Sequence, residues 1–309
     1  MRTAFVNTLI QLAKKNKDII LLTADLGYSV FEEYMEKFPK QYLNVGIAEQ
    51  NMTGVAAGMA IEGKLPIIYS IIPFTTMRNF EQIRNDVCYQ NLNVKIVGVG
   101  AGFSYGPYGH THHALEDIGI LRTLPNIRIY SPADALEAKY STEWLISQTG
   151  PAYLRLGRTG EPDIYNPGTF LTEGKGITVK KGLDAVIIAT GSMVYVAKQV
   201  VQLLKQENIS AQLISMPTIK PLDQDLILAL AKKFPYLFTL EEHFLTGGLG
   251  SAVAEVLAEN NINVSFKRFA VPNAFLKQMG NQEYMRRISG LTPDILSKEI
   301  TFYIAAKKL

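Results

Sequence analysis

Short apolar runs alternate with amphipathic stretches through most of the first half of the chain. The runs that predict strands are Ile19–Thr23, Pro66–Tyr69, Val94–Gly100, Ile127–Tyr130 and Ala152–Leu156. The stretches between them that predict helices include Glu49–Ile61, Met77–Leu92 and Ala133–Ser147. Because runs such as KIVGVG are apolar at every position, we expect a parallel sheet that is covered by helices on both faces.

The second half repeats this alternation after an interruption between Gly157 and Gly182, where glycines and prolines predict a linker. The predicted elements beyond it are strands Ala185–Ala189, Ala211–Met216 and Tyr236–Leu240, and helices Val194–Glu207 and Leu222–Lys233. We therefore expect an α/β protein with two doubly wound domains. Residues 1–160 form the first, with a mostly parallel sheet, residues 161–182 the linker and residues 183–309 the smaller second domain.

Composition narrows the class of protein. Of the 309 residues 47% are apolar and 19% are charged, and the formal net charge of +3 is too small to indicate nucleic acid or a membrane surface. The N-terminal segment lacks the apolar core of a signal peptide, and no apolar run reaches the length of a membrane span. The single cysteine, Cys88, excludes an intrachain disulfide and is interpreted as a packing residue. A cytoplasmic location is expected.

The helix predicted at Glu49–Ile61 is almost entirely small or apolar after its first turn. Gly54 and Gly58 share one face, where a second backbone can approach closely. A helix this apolar is expected to be buried, together with the carboxylate of Glu49. The alternative is that Glu49 is an ordinary N-terminal glutamate favoured by the helix dipole.

The sequence NVGIAEQNM at residues 44–52, followed by TGVAAGMA, resembles the pyrimidine-domain signature of transketolases. It is nearest to split transketolases, whose catalytic halves are separate chains, and it is also similar to deoxyxylulose-5-phosphate synthase. The stretch EEHFLTGGLGSAVAE resembles the C-terminal domain of the same family, so the resemblance covers essentially the whole chain. The glycines of that stretch are compatible with a phosphate loop, but a tight strand-to-helix turn is the favoured interpretation.

The resemblance implies a thiamine diphosphate enzyme in which Glu49 is a catalytic and cofactor-binding residue. In the family, the glutamate at this position hydrogen-bonds a ring nitrogen of the aminopyrimidine. That contact makes the 4′-amino group acidic, and the resulting imine removes the proton from the thiazolium C2. A buried carboxylate suits this task because burial disfavours its charged form and allows it to share a proton with a basic nitrogen.

A histidine-rich loop, GPYGHTHH at residues 106–113, follows the predicted strand Val94–Gly100. A metal site and plain surface histidines are alternatives, but the end of a parallel strand favours substrate contact. The resemblance implies that Thr111-His112 contacts the donor substrate and that His112, with His110 or His113, handles its oxygens. Tyr108 replaces an aspartate that recognises a sugar hydroxyl in many members, and Gly100 replaces a phosphate-contacting histidine. Because of these two departures, the sequence does not identify the substrate.

Other positions correspond to family residues less firmly. Phe74 and Phe80 match aromatic residues that pack on the aminopyrimidine, with core packing as the alternative. Ser29 matches a substrate-phosphate contact or is a turn-capping serine, and Asp25 is expected near the thiazolium. Arg158 matches a phosphate-binding arginine, for which nearby Arg155 is an alternative; a salt bridge is an equal alternative for either.

The chain contains no Gly-Asp-Gly sequence, the family's diphosphate and metal motif. The resemblance therefore implies a partner chain, the N-terminal half, that binds the diphosphate and Mg²⁺ or Ca²⁺. The expected assembly is an α2β2 heterotetramer with helix Glu49–Ile61 at the interface. The expected activity moves a two-carbon ketol unit from a ketose or ketose phosphate donor to an aldose acceptor. Alternatives are half of a deoxyxylulose-phosphate-synthase-like enzyme, a 2-oxo acid dehydrogenase beta chain and a non-catalytic assembly subunit.

Overall fold

A seven-stranded sheet forms the centre of the first domain in the computed structural model, which describes residues 1–158, 160–166 and 168–308. Its strands are β1 (Ile19–Thr23), β2 (Tyr42–Asn44), β3 (Leu65–Ile71), β4 (Lys95–Val99), β5 (Arg128–Tyr130), β6 (Ala152–Leu156) and β10 (Thr218–Lys220). Their spatial order is β10-β5-β6-β4-β3-β1-β2. All neighbouring pairs are parallel except β10 with β5.

Helices cover both faces of this sheet because its central strands are apolar on both sides; every residue of β4 and β6 is buried. Asp134 begins one of the helices by accepting a hydrogen bond from the backbone N–H of Glu137. The helices are α1 (Arg2–Lys15), α2 (Glu32–Lys37), α3 (Glu49–Ile61), α4 (Ile72–Thr76), α5 (Phe80–Gln82), α6 (Asp117–Arg122) and α7 (Ala135–Ser147). Single 3₁₀ turns lie at Pro39–Gln41 and Gly106–Tyr108.

The second domain is built on a five-stranded sheet. Its strands are β7 (Ile177–Lys180), β8 (Ala185–Ala189), β9 (Ala211–Ser215), β11 (Tyr236–Phe244) and β12 (Ser265–Val271). They lie in the order β12-β11-β8-β9-β7, and only β7 is antiparallel to its neighbour. The helices are α8 (Met193–Gln206), α9 (Gln224–Lys233), α10 (Leu249–Glu259), α11 (Gln282–Ile288) and α12 (Pro293–Lys308). The predicted fold, mixed α/β with two mostly parallel sheets, is confirmed.

Three local features differ from the prediction. The segment 161–182, predicted as a linker, contains strand β7, and β10 reaches back from the second half of the chain to extend the first sheet. The predicted helix Met77–Leu92 is instead α5 running into a π-helical turn at Ile83–Cys88. A separate short helix, α4, precedes it, with a proline in its first turn, which is where proline is tolerated.

Helix α3, expected to be buried and to lie at the interface with a partner, is buried within this chain on one face only. Glu49, Met52, Thr53, Ala56 and Ala57 are buried, whereas the opposite face is exposed. A Cβ added at Gly54 or Gly58 would meet no atom within 4 Å. The glycines therefore border open space within this chain. Among the described residues no helix is both long and apolar enough to cross a membrane.

Candidate active site

Five adjacent strands end at the same edge of the first sheet, and the predicted site residues follow those ends. In the spatial order β6, β4, β3, β1 and β2, each strand leads into one segment of the site. These segments carry, in turn, Arg158, the histidine loop, Phe74, the Asp25–Ser29 turn and Glu49. Parallel sheets bind ligands at this edge, so the topology gathers residues that are distant in sequence.

Glu49 is the first residue of α3, and only 2% of its surface is exposed. Arg78 Nη1 donates a hydrogen bond to Glu49 Oε2 at 2.6 Å, and Ser70 Oγ lies 3.5 Å from Oε1. Thr53 Oγ1 donates to the Glu49 carbonyl at 2.9 Å and accepts from Asn79 Nδ2 at 2.7 Å. The structure thus has the predicted burial of Glu49, and it adds an arginine partner that no sequence pattern predicts.

A row of planar groups connects Glu49 to the histidine loop. The guanidinium of Arg78 lies over the ring of Phe74, 4.3 Å from its centroid. The Phe74 ring makes an edge contact with His112, with centroids 5.3 Å apart. Tyr108 and Tyr105 lie 5.2 and 6.4 Å from His112 by the same measure. Phe74 is thus placed between the predicted catalytic carboxylate and the predicted catalytic imidazole.

The three loop histidines have different environments. His110 is exposed, whereas His112 is partly buried, with Nδ1 3.0 Å from Thr111 Oγ1, and desolvation lowers its pKa. His113 is buried against the Phe103 ring, with Nε2 3.3 Å from the Gly106 carbonyl. Desolvation is also the main cause of the lowered pKa of His113. These contacts hold His113 in the interior at the base of the loop and give no support to its predicted contact with substrate.

The second domain holds the base of the histidine loop. The loop is closed by paired backbone hydrogen bonds between Gly102 and Ala114. Next to this closure, the buried carboxylate of Glu242 accepts a hydrogen bond from the Phe103 backbone N–H and pairs with Arg286 Nε. Gln282 Nε2 donates to the same carboxylate at 2.9 Å. Glu242, near the end of β11, is a residue of the site that the sequence does not indicate.

Further contacts fasten the residues that follow the loop to the same strand. Phe244 N–H donates to the Leu115 carbonyl at 2.8 Å. His243 Nε2, on a buried ring, accepts from the Gly119 N–H at 3.1 Å. The carboxyl end of β11 therefore forms a platform for the loop and for the start of α6.

Arg155 does not have the free guanidinium that a phosphate contact requires. It is buried, its Nε donates to Asp117 Oδ2 at 2.8 Å, and its Nη2 donates to the Ala114 and Glu242 carbonyls. These bonds correspond to the salt-bridge alternative. Arg158 is exposed and lies over the Tyr105 ring at 5.5 Å, which leaves it as the arginine able to reach a ligand.

Asp25 and Ser29 lie in the turn after β1 and both have left-handed backbone angles, with φ of 52° and 58°. Asp25 accepts hydrogen bonds from Tyr28 Oη at 2.8 Å and from Asn44 Nδ2 at 3.2 Å. The Tyr28 bond is the main cause of the lowered pKa of Asp25. The Ser29 backbone N–H is bound to Glu32 Oε1. Both side chains are at the correct edge of the sheet, and their predicted ligand contacts remain predictions.

Phe80 is the first residue of α5 and, in the described part of the chain, makes no ring contact with the row of planar groups. It packs partly buried against the core and lines a cavity of about 740 Å³ with Arg84, Cys88 and Tyr89. Its described contacts therefore favour the core-packing alternative over the cofactor contact. Cys88 is itself buried, and burial raises its pKa to about 12, as expected for a packing residue.

The glycine-rich turn before α10 is filled by a side chain of the protein. The carboxylate of Glu241 accepts hydrogen bonds from the backbone N–H groups of Leu249 and Gly250, both at 2.7 Å. A Cβ at Gly248 would collide with this carboxylate. The helix N-terminus therefore already holds an anion, which supports the structural interpretation of these glycines over a phosphate loop.

Two observations bear on the cofactor that the resemblance implies. A buried carboxylate beside an aromatic face, already accepting a hydrogen bond from a planar cationic group, is a suitable partner for a protonated heteroaromatic ring. Among residues 1–158, 160–166 and 168–308, no three His, Cys, Asp or Glu side chains are grouped as a metal site. The chain thus fits the ring end of thiamine diphosphate, and its described part offers no grouped ligands for a metal.

Comparisons with known proteins agree with this geometry. Residues 1–161 match the transketolase pyrimidine-binding domain, and residues 174–295 match the transketolase C-terminal domain. The chain is 34% identical to an apulose-4-phosphate transketolase subunit of Actinobacillus succinogenes, with 94% of this chain and 93% of that protein aligned. It is 35% identical to the 6-deoxy-6-sulfo-D-fructose transketolase subunit of a Clostridium species, over 94% and 90% of the two chains.

Among solved structures, a split-gene transketolase described as an inactive beta4 tetramer superposes with a TM-score of 0.90 and 35% identity, covering 98% of each chain. The two domain matches stand in the expected order, and the relatives just described are aligned over nearly their full length. The chain belongs to the transketolase family and corresponds to the half of a split transketolase that carries the pyrimidine-binding and C-terminal domains.

Proposed function

We propose that the chain is one subunit of a two-chain, thiamine-diphosphate-dependent transketolase that transfers a two-carbon ketol unit from a ketose or ketose phosphate to an aldose. The observation that carries this proposal is the row Glu49, Phe74 and His112 at the carboxyl edge of one sheet. It combines a buried carboxylate, an aromatic face and an imidazole, the three groups that such a reaction requires of this half.

Glu49 is assigned the activation of the cofactor. The cofactor, when bound, supplies a carbon nucleophile and an electron sink. Glu49 holds a proton at the ring nitrogen of the aminopyrimidine, and its burial keeps water away from that proton. The first-turn position on α3 fixes the carboxylate, because Thr53 and Asn79 tie this turn to the segment after α4.

His112 is assigned the oxygens of the donor. It is partly buried and has a pKa below the ordinary histidine value, so the neutral imidazole is available at neutral pH to accept or donate a hydrogen bond. His110 is exposed at the rim of the same loop and is the second candidate for proton transfer. Mg²⁺ or Ca²⁺ and the diphosphate are assigned to the partner chain.

The substrate is proposed to be anionic at its distal end, with Arg158 and Ser29 as its phosphate contacts. Arg158 is exposed beside Tyr105, and Ser29 is exposed in the turn after β1. Tyr108 is exposed where many family members have a sugar-binding aspartate. Because a phenol does not accept hydrogen bonds as a carboxylate does, we propose a donor other than the standard pentose phosphates.

The partner is proposed to be the N-terminal-half subunit, assembled with this chain as an α2β2 heterotetramer in the cytoplasm. The open face of α3, with Gly54 and Gly58 exposed, supports this assignment because these two glycines leave room for another backbone to approach the helix that begins at Glu49. Glu49 borders that face, so the partner would complete the site around the cofactor.

The test is reconstitution with a chain that carries the Gly-Asp-Gly motif, followed by incubation with thiamine diphosphate, Mg²⁺ and one of two donors. Two-carbon transfer from a ketose phosphate to an aldose supports the proposal. Release of carbon dioxide from pyruvate would instead identify half of a deoxyxylulose-phosphate-synthase-like enzyme. A complex that forms but catalyses neither reaction would identify an assembly subunit.

A further inference from the structure

The guanidinium of Arg78, a planar cation, makes two contacts close to the proposed cofactor site. Its Nη1 donates to Glu49 Oε2 at 2.6 Å, and its guanidinium carbon lies 4.3 Å from the centre of the Phe74 ring. The first contact is an ion pair with a carboxylate that is 2% exposed, while the arginine side chain is 43% exposed. One end of the pair is therefore fixed in the protein and the other borders solvent.

Both contacts coincide with those proposed for the aminopyrimidine ring. That ring is to hydrogen-bond Glu49 through a nitrogen and to pack on Phe74, and Arg78 makes a hydrogen bond to the same carboxylate and packs on the same aromatic ring. A ring that packs on this face of Phe74 and bonds Glu49 Oε2 needs the position that Arg78 occupies.

We propose that Arg78 occupies the aminopyrimidine position in the cofactor-free chain, compensates the buried charge of Glu49 there, and is displaced to solvent when the cofactor binds. The inference rests on the proposed function. Arg78 acts through Glu49 and is a positioning residue. Arg78 lies in the connection between α4 and α5, and its side chain is already 43% exposed, so it borders the solvent that would receive it.

Competition predicts a gain of cofactor affinity when Arg78 is removed, which loss of a merely structural contact would not produce. Thiamine diphosphate with Mg²⁺ is titrated into the reconstituted complex by calorimetry. For Arg78→Met we expect the Kd to fall roughly two- to fivefold, the range that corresponds to releasing an ion pair with one half-exposed partner. Arg78→Lys, which keeps the charge but not the planar fork, should give an intermediate value.

Arg84→Met is the matched control for charge and location. Arg84 is also exposed, lies six residues further along the same segment and bonds only Asn85 among the described residues. Its replacement removes the same charge and should leave the Kd unchanged. Equal or weaker cofactor binding by Arg78→Met would overturn the proposal, since it would make Arg78 neutral towards the cofactor or a residue that holds it.

The isolated chain gives a second readout that does not involve activity. Arg78→Met leaves Glu49 buried without a cation and should lower the midpoint of thermal unfolding, and Glu49→Gln in the same chain should restore it. If Glu49→Gln did not restore the midpoint of the Arg78→Met chain, Arg78 would not compensate the buried charge of Glu49, and the proposal would be wrong. If the wild-type complex fails to bind the cofactor at all, the proposed function fails instead, and the inference falls with it.

Discussion

Two buried glutamates, Glu49 and Glu242, each form an ion pair with an arginine, and the two ion pairs differ in how far the arginine is exposed. Each is almost fully buried, at 2% and 3% exposure, and each pairs with an arginine. The partner of Glu242, Arg286, is itself largely buried and also donates to Ser192 at 2.7 Å. The partner of Glu49, Arg78, is half exposed.

The difference lies in how many donors each carboxylate has. Glu242 accepts from a backbone N–H, an amide and a guanidinium, so its bonding capacity is used by the chain itself. Glu49 has one short bond, to the half-exposed side chain of Arg78, and one long contact to Ser70. A saturated carboxylate organises the loop above it, whereas an unsaturated one at the edge of the sheet is available to a ligand.

The largest expected effect comes from Glu49→Gln in the reconstituted complex. Loss of a group that holds a proton in the reaction should slow proton exchange at the cofactor C2 by about 10²- to 10⁴-fold, measured by deuterium exchange in NMR. Glu62→Gln, at an exposed glutamate at the other end of α3, is the control and should leave the exchange rate normal. An unchanged rate for Glu49→Gln would end its catalytic assignment.

Glu242→Ala should be costly to stability because it leaves Arg286 and the Phe103 N–H without their acceptor. Breaking a buried pair in this way costs about 3–5 kcal/mol of the free energy of unfolding, to be measured by urea denaturation. Glu299→Ala, which removes an exposed pair with Lys267, should cost about 1 kcal/mol or less. Similar losses for both variants would refute the description of Glu242 as a carboxylate that is fixed by bonds within the chain.

His112→Asn tests the loop that Glu242 supports. We expect kcat/KM for the donor to fall by about 10- to 100-fold while C2 exchange stays unchanged, since His112 and Glu49 act on different molecules. Burial lowers the pKa of His112 below 6.5, so its neutral form persists on the acid side of that value. In the wild type, kcat/KM for the donor should therefore fall with decreasing pH only below pH 6.5, and this fall should be absent from the variant. A fall that begins on the alkaline side of that value would contradict this assignment.

The fold is predictable from sequence because its signal is local. Apolar runs such as Ile19–Thr23 and Ala152–Leu156 coincide with the strands, and Glu49–Ile61 coincides with α3. Strand β7 escapes prediction because it is a half-exposed edge strand next to glycines, without the apolar run of a central strand.

Residues of the candidate site can be picked out from the sequence only where their immediate neighbours in the chain make them conspicuous. Glu49 stands out on an apolar helix, and His112 in a cluster. Arg78 and Glu242 gain their importance from partners 29 and 139 residues away, and no local pattern reports such pairings. The TGGLG turn shows the same limit. Its glycines favour a structural role from sequence alone, but the physical reason, the Glu241 carboxylate inside the turn, is visible only in the structure.

Another buried glutamate, Glu137, extends the comparison, and no arginine pairs with it in the part of the chain that the structure describes. It lies in the first turn of α7 and accepts hydrogen bonds from the Ala133 N–H, Tyr165 Oη and Ser215 Oγ, and the bond from Ser215, in β9, joins the first domain to the second. Desolvation raises its pKa to about 7. Where Glu49 and Glu242 have a cation, Glu137 instead retains its proton across a wide pH range.

Glu137 should make stability fall as the pH rises from about 4.5 to about 7. In this window the unfolded chain has released the proton that the folded chain keeps, so unfolding releases a proton and is favoured by higher pH. The contribution of Glu137 to the free energy of unfolding is of the order of 1–3 kcal/mol. It is fully present below pH 4.5 and is lost as the pH rises through about 7. Denaturation at about pH 5 and about pH 7 should show this slope in the wild type and a clearly smaller slope in Glu137→Gln, whereas Glu143→Gln on the same helix should retain the full slope. Lys95, whose pKa burial lowers to about 7, acts above this window, and Glu116, whose pKa burial raises, adds a slope of the same sign. A slope of unchanged size in Glu137→Gln would therefore disprove the assignment.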